Sequence, residues 1–67
     1  MKMAQETVSR AEMKALHVGQ TRIFTLKHPK KLRSVYNNGK AFAKEERLDF
    51  DIKLDFDSCS VSITRLM

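Results

Sequence analysis

The chain has 67 residues and 13 Lys and Arg against 8 Asp and Glu, a net charge of +5, with 1 Cys, 1 Pro and no Trp. At this length a fold buries only about 60% of the surface its unfolded chain exposes. That sets a ceiling of one small domain over residues 1–67, leaves little room for a deep catalytic cleft, and makes oligomerisation or a larger partner the expectation for stability.

The N-terminus, MKMAQETVSRAEM, lacks the apolar core of a signal peptide. Residues 1–7 are polar and are expected to be loose. Ser9-Arg10-Ala11-Glu12 has the spacing of a capping box, and Val8 and Met13 occupy the two positions of a hydrophobic staple. With Gly19 as a stop, a short helix is expected over 10–17, held by Met13 and Leu16 docking on a core.

Thr21 to Leu26 is rich in β-branched and aromatic residues and reads as a strand, with Phe24 and Leu26 on one face and Ile23 and Thr25 on the other. Pro29 ends it and suits the first turn of a helix. From Leu32 onward the apolar residues Leu32, Val35, Tyr36, Phe42 and Ala43 keep helical spacing, and Gly39 falls in the same stripe. Lys30, Arg33, Asn37, Lys40, Lys44 and Arg47 recur every three or four residues as a second, polar stripe beside it. Asn37-Asn38-Gly39 looks like a turn, but both stripes keep phase across it. One helix over 29–46 is therefore favoured, with Gly39 against the sheet and Tyr36 in the core. The alternative closes a helix near Asn37 with Gly39 left-handed and starts a second one over 40–47.

Leu48 to Asp57 alternates without interruption. Leu48, Phe50, Ile52, Leu54 and Phe56 face a core, and Asp49, Asp51, Lys53, Asp55 and Asp57 face water. A connection at 57–60 returns the chain as a third strand over 61–66, which pairs Phe56 with Val61 and Leu54 with Ile63. The expected fold class is α+β: a short N-terminal helix, then β-α-β-β. Its three-stranded antiparallel sheet has order 1-3-2, with the long helix on one face and the Asp-bearing strand at an edge.

A sequence pI near 9.7 favours anionic partners. A row of cations along a helix follows a phosphate backbone, and Asn37 adds a hydrogen-bonding group to it. The competing reading is a solvated helix face. No aromatic falls on the outer sheet positions, so base stacking on the sheet is not expected. Asp49, Asp51, Asp55 and Asp57 lack the glycine and distal glutamate of a calcium loop, so a soluble edge strand is expected and no metal. His17, His28 and Cys59 have no ligand spacing and no nucleophile–base arrangement, so neither cofactor nor catalysis is expected.

The lone Cys59 excludes an internal disulfide and points to a reducing, cytoplasmic compartment. No apolar run reaches the ~18 residues of a membrane span, and no membrane partner is expected. Two functional expectations result. The first is a non-enzymatic protein that binds nucleic acid through phosphates along Lys30, Arg33, Asn37, Lys40, Lys44 and Arg47. The second is a protein-interaction module, such as a small structural subunit or an inhibitor of a kind suited to a phage or mobile element. It would act through Ile23 and Leu66 on the sheet face or through Asp49, Asp51, Asp55 and Asp57 on the edge, and could form a homo-oligomer.

Overall fold

The computed structural model describes residues 4–67. Its elements in chain order are α1 (Arg10–Lys14), β1 (Thr21–Thr25), α2 (Lys30–Glu46), β2 (Phe50–Asp55) and β3 (Ser60–Arg65). The sheet order is β1-β3-β2, and both pairings are antiparallel. β1 and β2 therefore run in the same direction with β3 between them, and α2 makes the connection over one face. This is the α+β arrangement expected from the sequence.

α1 begins as its sequence dictates. The Ser9 hydroxyl accepts from the Glu12 N–H at 3.2 Å, and the Glu12 carboxylate accepts from the Ser9 N–H at 3.2 Å. Both staple residues are buried, Val8 and Met13 alike. The helix is shorter than the expected 10–17. It is capped at Ala15, and the chain turns through Gly19, whose φ is +86°. The Gly19 N–H then bonds to the Arg65 carbonyl, and the Arg65 guanidinium bonds to the Leu16 carbonyl. The end of α1 is thus tied to the end of β3. Leu16 stays buried although it lies outside the helix.

α2 is one continuous helix through Asn37-Asn38-Gly39. Leu32, Val35, Gly39, Phe42 and Ala43 form its buried stripe. Its C-terminal cap is Arg47 in the left-handed conformation, with φ 56°. Tyr36 departs from the expected stripe. It is 36% exposed, because its phase puts it at the border between the apolar and cationic flanks.

The β2–β3 hairpin has the expected faces but a different register. Leu54 pairs with Val61 and Ile52 with Ile63. The expected partners, Phe56 for Val61 and Leu54 for Ile63, are displaced by two residues. The cause is the turn. One carboxylate oxygen of Asp55 accepts from the N–H groups of Asp57 and Ser58, and Cys59 takes a φ of 53°, so the chain reverses over 56–59. A slip of two preserves the side-chain parity of a strand, so the apolar faces still match. The alternating run from Leu48 to Asp57 is accordingly a strand only over Phe50–Asp55. Leu48 packs on the core just before it, and Phe56 is 53% exposed in the turn.

Of the N-terminal residues expected to be loose, residues 1–3 lie outside those described. Gln5 is pinned: its N–H donates to the Thr25 carbonyl at 2.8 Å, and its carbonyl accepts from the Lys27 N–H at 2.8 Å. The buried apolar residues form one cluster drawn from the N-terminal segment, both helices and all three strands. Among the described residues, nothing covers the opposite sheet face.

Candidate nucleic-acid interface

The two flanks of α2 differ in electrostatic character because of what packs beside each. Along one flank lies α1. The Arg10 guanidinium pairs with Glu45 at 2.9 Å, and the Lys14 ammonium pairs with Glu46 at 3.4 Å. Arg10 also sits 5.5 Å from the centroid of the Phe42 ring. Such exposed pairs stabilise by only about 0–1 kcal/mol each. Their electrostatic effect is local: the two acids that end the cationic run of α2 are matched by cations of α1.

The other flank faces the free edge of β2 and carries the cation row. Residues 27–44 contain Lys27, Lys30, Lys31, Arg33, Lys40 and Lys44 and no acid. Lys30, Arg33, Asn37 and Lys44 are exposed on this helix. Among the described residues, Lys30, Arg33 and Lys44 have no ion-pair partner. Helix continuity through Gly39 is what aligns the two halves of the row.

Two members of the row are placed differently from the rest. Lys40 folds over the helix, donates to the Phe50 carbonyl at 2.9 Å and lies 5.7 Å from the Tyr36 ring centroid. Backbone groups in an antiparallel pair alternate between the partner and the free side. Because the Asp49 carbonyl is taken by the N–H of Leu66, just past the end of β3, that of Phe50 points to the open edge. Lys40 therefore caps an edge carbonyl. Arg47 occupies the left-handed cap, where the helical phase ends, so the straight part of the row stops at Lys44.

The acidic residues lie on the edge strand and its turn. Asp49, Asp51 and Asp57 are exposed. Asp55 closes the hairpin turn, and the Ser58 hydroxyl, then the Ser58 and Asp57 N–H groups, hold its carboxyl below the usual aspartate value. The other depressed carboxyl is Glu12. Slight burial raises it, but the Ser9 N–H, Gln5, the Ser9 hydroxyl and the charge of Arg22 outweigh that and lower it overall. Among the described residues no group of three or more His, Cys, Asp or Glu could hold a metal ion, and no pocket is enclosed. No helix of the described residues is long and apolar enough to cross a membrane.

On the uncovered sheet face, Ile23 is 66% exposed and Leu66 52%. Around them are hydroxyl-bearing residues, and the register places Thr21, Thr64 and Asp51 in one row across the three strands. Thr21 and Thr64 share a hydroxyl–hydroxyl hydrogen bond of 2.7 Å.

Sequence reasoning assigned two exposed residues, Tyr36 and Phe56, to the core. The signal for Tyr36 was its spacing, three residues after Arg33 and four before Lys40. The signal for Phe56 was the Asp55-Phe56-Asp57-Ser58 run, which supports an aspartate-capped turn.

No family model, no curated protein and no solved structure matches the chain.

Proposed function

We propose that this is a non-enzymatic protein that binds nucleic acid through its phosphates, using the β2-side flank of α2. The observation that carries the proposal is the unbroken helix, with Lys30, Arg33, Asn37 and Lys44 in one row while α1 neutralises Glu45 and Glu46 on the other flank. Cations in a row displace condensed counterions from a polyanion, and this release drives binding. Lys40 and Arg47 add positive charge at the border of the row. Base-specific recognition by a lone domain is weak, since phosphate contacts carry no sequence information.

The test is binding measured across a salt series. Affinity should fall steeply with rising salt, by a slope of about 0.7 to 0.9 per neutralised phosphate. Lys30→Glu with Lys44→Glu should remove most of it. Lys40 is left out of that pair because it also holds the edge of β2. No binding at low salt ends the proposal.

The uncovered sheet face favours a second reading, a protein-interaction module acting through Ile23 and Leu66, with Asp49, Asp51, Asp55 and Asp57 at its edge. Light scattering separates the two. A stable oligomer free of co-purifying nucleic acid supports this second reading.

A further inference from the structure

Tyr36 and Phe56 are the exposed aromatic residues among those described, and Phe24, Phe42 and Phe50 are all buried. Tyr36 lies on α2 one turn before Lys40, at the border with β2, whereas Phe56 stands in the turn after β2 between the exposed Asp55 and Asp57. Lys40 joins α2 to β2 through the Phe50 carbonyl. From that contact, α2 runs back through Tyr36 to Arg33 and Lys30, about 6, 10 and 15 Å along its axis. β2 runs the same way through Ile52 and Leu54 to the turn that holds Phe56, on the order of 20 Å along the strand. The Cys59 end of that turn lies beside the end of β1, where the Leu26 N–H donates to the Cys59 carbonyl.

The Tyr36 ring borders the row of cations. Lys40 holds the Tyr36 ring at one end, 5.7 Å from its centroid. Cations tracking a backbone, with aromatic faces beside them, is the arrangement that receives a single strand, whose unpaired bases are free to stack. A duplex presents phosphates to the same cations but keeps its bases stacked within itself.

We infer that the α2–β2 border binds single-stranded nucleic acid in preference to duplex, with Tyr36 as the stacking platform and Lys30, Arg33 and Lys44 as phosphate contacts. This rests on the proposed nucleic-acid binding and adds the class of ligand to it.

Tyr36 is the only tyrosine, and there is no tryptophan, so intrinsic fluorescence reports this one ring. The intact protein is titrated at low salt with a ten-nucleotide oligothymidylate and with a DNA hairpin of equal phosphate count. The expected result is tyrosine quenching by the single strand only, and tighter binding of it. Tyr36→Leu, read by a dye on the oligonucleotide, should weaken single-strand binding about 5-fold or more and leave hairpin binding within about twofold, while Phe56→Leu should leave both within about twofold.

Equal binding of both ligands, or equal losses on both in the Tyr36 variant, overturns the stacking inference and leaves phosphate binding standing. Binding of neither ligand by the wild-type chain ends both. The quenching measurement needs no substitution, so it decides the question even where a variant folds poorly.

Discussion

Gly39 faces Ile52 so closely that a Cβ built on the glycine would lie 2.6 Å from the Ile52 Cδ1 atom and 3.6 Å from the Met13 thioether sulfur. A helix glycine costs about 1 kcal/mol relative to alanine. Here it is the contact point of three elements: α2, β2 and α1. The obstructing atom is the tip of a flexible side chain, and moving it off its rotamer costs roughly 0.5–1.5 kcal/mol. Gly39→Ala should therefore be close to neutral. In an Ile52→Val background, where Cδ1 is gone, the same change should stabilise by up to about 1 kcal/mol. Urea unfolding of the four proteins measures this coupling. Equal effects of Gly39→Ala in both backgrounds would show that Ile52 does not constrain the glycine.

Lys40 covers the Phe50 carbonyl on the open edge of β2. Lysines on edge strands and over edges discourage pairing with other chains. Lys40→Met keeps most of the stem and removes the donor. It should cost about 1 kcal/mol in stability and promote concentration-dependent association, measured by sedimentation. A variant that stays as monodisperse as the wild type at high concentration refutes the edge-guarding role.

Phe50 is 1% exposed and Phe56 53%, although both share the same alternating pattern. Phe50→Ala should cost about 3–5 kcal/mol, which in so small a domain prevents stable folding. Phe56→Ser should stay within about 0.5 kcal/mol of the wild type, as surface changes do. A large loss from Phe56→Ser would restore the register in which Phe56 opposes Val61.

Glu12 and Asp55 have lowered pKa values in the fold, from 4.5 and 3.8 respectively. A depressed carboxylate contributes stability that is present above its unfolded pKa and is lost as pH falls through the folded value. Melting temperature should therefore hold from pH 7 down to about 5 and then drop more steeply in the wild type than in a Glu12→Gln, Asp55→Asn double variant. Parallel curves for the two proteins below pH 4 would show that neither carboxylate is coupled to folding.

The five elements and their order were legible because their signals are local. The Ser9–Glu12 box sits within four residues, and alternation in β2 needs only neighbours. The phase of α2 ran unbroken through Asn37-Asn38-Gly39, which outweighed the turn-like composition there. The order 1-3-2 followed from avoiding a parallel pair: the helical crossover makes β1 and β2 run the same way, so β3 between them pairs antiparallel with both and leaves the Asp-bearing strand at an edge.

Tertiary structure decided what depends on separation in space. The sequence alone sets the parity of the hairpin, since every shift by two residues keeps the same faces. Only the turn, with Asp55 gathering the N–H groups of Asp57 and Ser58, chooses among those registers and puts Phe56 outside the core. The cation row was visible as spacing, but its charge balance was not. Arg10 and Lys14 stand more than thirty residues from Glu45 and Glu46 in the chain, and Lys40 finds its carbonyl across the sheet edge. Periodicity records which face a side chain takes. Its partner, and whether a border residue such as Tyr36 stays dry, depend on where the neighbouring element ends.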